Sequence, residues 1–414
     1  MKVETKSLSG LIGDTAVWRS VLLWMMAVGL FIQISGYVWF ESGSARNAQV
    51  YLWLLVPALA YGLGLLVSGR VSWPGWHYYP WLLLLLWVGL SALWGSSEEP
   101  WSLAKRGFAI AAFFLAVHCL LDLDDRFLRM ALLFGVAGVA LGALASLLYQ
   151  FAWLEKPLAY RAFRIDRLGI GDFANYDWPV VAGIFHGAVA SWALGVVVDK
   201  RTSLRAAAFW LLVFAVLALY VLLTYTRGAW FGMLGSAFAV VLMQRSRRGW
   251  WLLGLGLLCM AVAVFLWWDR LLFEVQTRQL SGRELIWDHF VAVMPGHWLF
   301  GYGLGTPFSF VWPDGRSIIF HAHSLFLQLV YDSGLVALGL MAAGLLVVAH
   351  KVWKLRDDPW VRLAFPALVF ALIAMLTDVE RIFTRPGVYW TVFWLPLAIL
   401  LAVPARRGKL AGDR

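Results

Sequence analysis

Cysteine is nearly absent: Cys119 and Cys259 are the only two in 414 residues. Each falls inside a predicted membrane span, which leaves no basis for a disulfide framework or a thiolate metal site and makes both read as buried small side chains. Charge is scarce as well. Charged residues make up 14% of the chain, where a soluble domain carries about 25%. With 62% hydrophobic residues, a water-soluble fold is excluded. No small-residue cleavage site follows the first apolar run, so it reads as a retained span and not as a signal peptide.

What the sequence has instead is apolar runs long enough to cross a hydrocarbon core, which takes about 20 residues of helix at 1.5 Å each. They lie near Trp18 to Trp39, Val50 to Val67, Trp76 to Trp94, Phe108 to Leu121, Phe127 to Phe151, Trp178 to Val198, Ala206 to Thr224, Ala229 to Met243, Trp250 to Trp268, Leu325 to Ala349, Trp360 to Thr377 and Val388 to Val403. Many of the 26 Trp sit at the ends of these runs, as in an interfacial belt. The expected fold class is therefore all-α, a polytopic membrane protein of about 12 transmembrane helices. Residues 1–414 form a single transmembrane domain, with one large loop, 269–323, inserted between spans 9 and 10 and containing short amphipathic helices.

The net charge of +10 is explained by loop asymmetry and gives no reason to invoke nucleic acid. If the amino terminus lies inside, the short inside segments hold Arg70, Arg126, Arg129, Lys200, Arg201, Arg205, Arg245, Arg247, Arg248, Lys351, Lys354, Arg356, Arg406, Arg407 and Lys409. The short outside loops are poorer in cations, so the positive-inside rule places both termini in the cytoplasm. Basic residues in long outside segments need another explanation.

Three outside segments stand out: 152–177 with Lys156, Arg161, Arg164 and Arg167; the corner Thr224 to Gly228 with Arg227; and the loop 269–323. In the loop, Ser281 and Glu284 fit a capping box. Behind them Ile286, Phe290, Val293 and Met294 share one face until Pro295 and Gly296, which predicts an amphipathic helix lying on the membrane. Gly301-Tyr302-Gly303-Leu304-Gly305 lacks the strand and βαβ context of a nucleotide fingerprint and reads as tight backbone turning. His321 and His323 follow. Two histidines two apart face the same way only on a strand, and no Cys or carboxylate cluster completes a set, so no metal is expected. His323 can be read as a cap for the next helix, or as an imidazole kept neutral by a helix amino terminus and nearby arginines, free to take a proton. Arginines gathered on the outer face can be a solvated or snorkelling set; as a group they point to an anionic ligand such as phosphate.

The corner Thr226-Arg227-Gly228-Ala229, the segment Gly282-Arg283-Glu284-Leu285-Ile286-Trp287 running on to Phe300-Gly301-Tyr302-Gly303-Leu304-Gly305, and His323-Ser324 with nine residues before Gly334-Leu335 together resemble the O-antigen ligase and O-antigen polymerase superfamily, over about 110 residues. The resemblance implies a GT-C-like membrane glycosyltransferase of the bacterial inner membrane, without cofactor or metal, working at the periplasmic face. Its donor would be a glycan on undecaprenyl diphosphate and its acceptor, in the ligases, the lipid A core. His323 falls where the family has its essential histidine and Arg227 where it has its corner arginine. Arg161 or Arg164 matches a family arginine before the sixth span, Arg283 is a further donor-binding candidate, and His321 a supporting one. Ser324 stands where Asn is commoner, and either can cap a helix.

In that reading the arginines would stabilise the departing lipid diphosphate while His323 removes the acceptor proton, in one inverting displacement. Asp166, Glu284 and Asp288 form no convincing carboxylate pair for a double displacement. The rival class is a lipid-linked glycan transporter, which should bury ionisable or broken-helix sites near the bilayer midplane. The predicted spans keep their charges at the ends.

Overall fold

The computed structural model describes residues 15–69, 75–278 and 281–404, so Arg70, Arg406, Arg407 and Lys409 lie outside the described residues. In chain order the helices are α1 (Thr15–Trp39), α2 (Gly43–Val50), α3 (Val56–Val67), α4 (Tyr79–Ser91), α5 (Pro100–Leu147), α6 (Pro179–Val198), α7 (Leu204–Leu223), α8 (Arg227–Gln244), α9 (Arg247–Leu266), α10 (Trp268–Arg278), α11 (Arg283–Val293), α12 (Leu325–Lys354), α13 (Pro359–Ala374) and α14 (Leu395–Ala402). A two-residue antiparallel ladder pairs β1 (Phe310–Val311) with β2 (Ile318–Ile319). The chain is an all-α polytopic membrane protein. Among the described residues, seven helical stretches are long and apolar enough by length and composition to cross a bilayer.

Every one of the predicted spans falls on a helix, but the helices are cut differently. One stretch, Pro100–Trp153, contains two predicted spans, because the helix breaks at Asp124 (φ −162°, ψ 103°) and the chain turns back. Before the break, Gly89 of α4 faces Ala104 while Tyr78 shares a hydrogen bond with His118, an antiparallel pairing. Beyond it, Gly135, Gly138 and Gly142 meet Ile34, Ser35 and Val38 in rising order, so this half runs parallel to α1. Other predicted spans are shorter helices: α4 has 13 residues, α13 has 16, and α14 is preceded by a π-helical turn at Trp390–Trp394.

Close helix contact rests on small residues, as membrane packing requires. A Cβ on Gly187 of α6 would stand 2.5 Å from the Phe370 ring of α13, and one on Gly232 of α8 3.0 Å from the same ring. One aromatic side chain thus keys three helices together. By contrast α9 is covered by almost no protein, so Cys259 is exposed, contrary to the expectation that both cysteines are buried; only Cys119 is.

The break that positions the site is in α12. Gly334 takes φ 75°, ψ −178°, a left-handed region that disfavours any side chain. In an unbroken helix the N–H groups of Leu335 and Val336 would bond the carbonyls of Tyr331 and Asp332. Instead they donate to Trp298 O (2.8 Å) and Leu299 O (3.4 Å), while Tyr302 N–H and Gly303 N–H donate to Tyr331 O (2.7 Å) and Asp332 O (3.0 Å). The large loop therefore fills the break and satisfies all four freed groups, as a low-dielectric interior demands. The glycine series makes this approach possible: a Cβ on Gly301 would come within 2.6 Å of Ser333 N. A broken helix of the kind that serves transporters is here closed by the protein's own backbone.

Candidate functional site

The corner ahead of α8 is locked from several sides. Tyr225 turns at φ 52°, Thr224 and Thr226 are buried, and the Thr226 hydroxyl donates to Pro179 O at 3.1 Å. Segment 152–177 docks on this corner. Arg164 Nε donates to Thr224 O at 2.8 Å and its Nη2 to Thr226 Oγ1 at 3.5 Å, Ile165 N–H reaches Leu223 O at 3.3 Å, and Tyr160 packs edge-on against Tyr225. Among the three candidate arginines, then, Arg164 is the one joined to the corner. Arg167 is turned to Asp166 at 2.9 Å. Arg161, at φ 57°, makes no hydrogen bond to the corner among the described residues.

Arg227 is the first residue of α8 and Arg283 the first of α11. A helix amino terminus repels a cation, so two such arginines require an anion nearby, and Asp378 supplies one. Its carboxylate accepts from Arg283 Nη2 and from Thr377 Oγ1 (3.1 Å), and it lies against Gly228, where a Cβ would be 2.7 Å from Oδ2. Burial pushes the Asp378 carboxyl up, while Arg283 and Arg227 pull it down.

Ser281 does not cap α11. Gly282, at φ 77°, holds that position with no side-chain cap, and Ser281 Oγ instead accepts from Arg227 Nη2 at 2.6 Å. Nor does the apolar face of α11 lie on the membrane. Ile286, Phe290 and Met294 are buried against Phe308, Ala322, Val330 and Tyr331, because the start of α12 offers a closer apolar surface than lipid does.

That contact fixes the histidines. Ala322, between them, is buried; its N–H donates to Gln328 Oε1 at 2.9 Å and its carbonyl accepts from Trp287 Nε1 at 3.1 Å. Gln328 Nε2 in turn donates to Asp332 Oδ1 at 3.0 Å, and Arg381 grips both Asp332 oxygens at 2.6 and 3.0 Å. Held so, His323 adopts φ 50°, a conformation that costs on the order of 1–3 kcal/mol for a non-glycine residue. Its ring lies 4.0 Å from that of His321, centroid to centroid, and its N–H donates to His321 Nδ1 at 3.2 Å. The two rings thus meet without a strand, contrary to expectation. The bond leaves the neutral His321 with its proton on Nε2. Burial, then His321, then Arg283 push His323 down to about 3. It is a neutral base at physiological pH, with burial and not the helix end as the main cause. Ser324 occupies the N-cap position of α12 but makes no side-chain cap bond.

Three features escaped the sequence reading: Asp378, Arg381 and the Asp332–Gln328 pair. Segment 378–387 looked like a mere gap between two spans, yet Asp378, Glu380, Arg381 and Arg385 crowd into it. Charge of both signs in so short a turn between two spans was the available signal.

The fold and these contacts define a multi-pass membrane protein in which Arg227, Arg283, Asp378, Arg381 and the two histidines converge at one end of the bundle. Residues 211–342 match the O-antigen ligase family, a stretch that includes all three motifs. Over 401 residues, 96% of this chain and 94% of the relative, the sequence is 26% identical to an O-antigen ligase of Pseudomonas aeruginosa. Residues 211–342 are thus similar to the O-antigen ligase family, the same family that the motifs resemble. Arg161 and Arg164 lie before the matched stretch.

Proposed function

We propose that this chain is a ligase of the inner membrane, with both termini cytoplasmic, that moves O-antigen glycan from undecaprenyl diphosphate to a sugar hydroxyl of lipid A core at the periplasmic face. The observation that carries this reading is that Asp378 brings Arg227 and Arg283 together while α11, which Arg283 begins, holds Ala322 through Trp287 beside His323, a neutral, half-buried base.

Chemically, the acceptor oxygen attacks the anomeric carbon, the bond from that carbon to the phosphate oxygen breaks, and the lipid diphosphate leaves with the electron pair. Arg227 and Arg164 hold the diphosphate as charge develops, the planar guanidinium matching two oxygens at once. Arg283, kept in place by Asp378, adds positive field on the His323 side. Arg161 is a second candidate beside Arg164. His323 takes the acceptor proton and His321 orients it. A single displacement inverts the anomeric centre. Charge neutralisation by arginine makes a divalent cation unnecessary in this scheme, so transfer should persist in excess chelator.

The deciding experiment incubates purified protein with lipid-linked glycan and lipid A core, separately and together. Product only when both are present supports the ligase; longer lipid-linked chains formed without core would make it a polymerase. Transfer in detergent, where no compartments exist, would dispose of transport as the sole activity.

A further inference from the structure

Resting on the ligase reading, we infer that Arg106 and Arg385 form a second anion site, separate from the donor arginines, that binds the phosphate groups of the acceptor glycolipid.

Segment 375–389 has two faces. Asp378 pairs with Arg283 and lies near Arg227, whereas Arg381, near His321, pairs with Asp332 of α12. Arg106, at the outer end of α5, lies within Coulombic reach of both Arg381 and Arg385. Arg381 is already satisfied by Asp332 and by Glu380 at 2.9 Å. The other two are not: among the described residues neither Arg106 nor Arg385 forms an ion pair with a carboxylate, although Glu380 contributes its field to the group. Arg106 Nε is buried without a hydrogen-bond partner, and its Nη1 reaches only Phe383 O, at a long 3.5 Å.

Leaving a charged donor buried and unmatched is unfavourable unless an anion completes it. Arg385, in contrast, is exposed, and its backbone is not loose. Trp390 Nε1 holds Thr384 O at 3.1 Å and Gln33 Nε2 holds Gly387 O at 2.9 Å. A half-buried guanidinium near an exposed one on a pinned turn suits a phosphate arriving from the membrane surface. Lipid A core is an acceptor of that chemistry. Phosphates anchored here would hold the acceptor close to Arg381, which adjoins His321, and separate from the donor arginines.

The test compares wild type with Arg106→Gln and Arg385→Gln, using intact and enzymatically dephosphorylated lipid A core. Each substitution should raise the acceptor KM about tenfold while leaving kcat and donor KM within about twofold, the loss of a charge-assisted contact made before reaction. Dephosphorylated core should show the same rise with wild type and no further rise with either variant. Arg106→Lys, which keeps the charge, should recover part of the loss and guards against misfolding. Binding of each core to the protein without donor separates the failures. A wild type that binds no core overturns the ligase reading, whereas one that binds both cores equally overturns only the phosphate site. Loss of core binding in excess phosphatidylglycerol vesicles would assign the pair to membrane phospholipid and overturn it too.

Discussion

Cations crowd both ends of the bundle, but they are bonded differently. At the end that holds Arg19, Arg248 and Lys351, the partners are backbone carbonyls at helix ends: Arg19 donates to Leu123 O at 2.7 Å, Arg248 to Val197 O at 2.8 Å, Lys351 to Leu401 O at 2.7 Å. These are orphan acceptors of helix carboxyl termini, where a positive charge is favoured twice over. At the other end Arg227 and Arg283 start helices, where the dipole opposes them, and their partners are Ser281 and Asp378. The first set stabilises the fold by its position; the second is held where a cation is unfavourable on its own. The same residue type closes helix carboxyl termini at one end and is held against the helix dipole by side-chain partners at the other.

His323→Ala should break the comparison most sharply. Removing a general base lowers turnover by roughly 10²–10⁴-fold, while production and membrane insertion stay normal because α12 is held by Gln328, Asp332 and Arg381. Wild-type glycan transfer by that variant would sink the base assignment.

A paired substitution tests the two ends directly. Arg227→Lys keeps the charge but loses the planar fork, and transfer should fall by roughly 10- to 100-fold. Arg248→Lys should leave transfer unchanged and lower stability by less than about 1 kcal/mol, read as a small shift in thermal unfolding of the detergent-purified protein. Equal loss of activity at both positions would erase the distinction.

Much of this architecture was legible in the sequence because bilayer thickness fixes span length, and a run of apolar residues displays it plainly. His323, Arg227 and Arg283 were legible as well, each marked by a motif. What the sequence hid was partnership. Asp378 lies 95 residues from Arg283, and the mixed charge of its turn marks the segment without naming the partner. Ser281 had a local explanation, the capping box, which a tertiary bond to Arg227 overrode. The break at Gly334 was visible as a glycine, but its adoption by Trp298, Leu299, Tyr302 and Gly303 depends on a loop folding back across more than thirty residues of chain.

A pH profile sharpens the picture further. Because burial, His321 and Arg283 depress His323 to about 3, protonation inactivates it only in strong acid, and activity rises with pH through that region and then levels. The kcat/KM profile for donor, which reports the free enzyme, should therefore be flat between pH 5 and 7 as far as this group is concerned. Arg283→Gln removes one of the opposing charges, so the acid limb should move upward. A limb centred near 6.5 in the wild type would mean that His323 is solvated like an ordinary histidine.

The smallest effect belongs to Ser281→Ala. If Ser281 served α11 as a cap, its loss would loosen the helix and with it Trp287, so that kcat and stability would fall together. As the partner of Arg227 it acts only on where that guanidinium points. One hydrogen bond to a charged group, worth about 1.5–3 kcal/mol at most and less at an exposed position, should then appear as a rise of a few-fold in donor KM. Acceptor KM and thermal stability should hold. Titrating donor at saturating acceptor separates these outcomes, and a fall in stability without a change in donor KM would return Ser281 to capping and loosen the tie between α11 and the corner at Arg227.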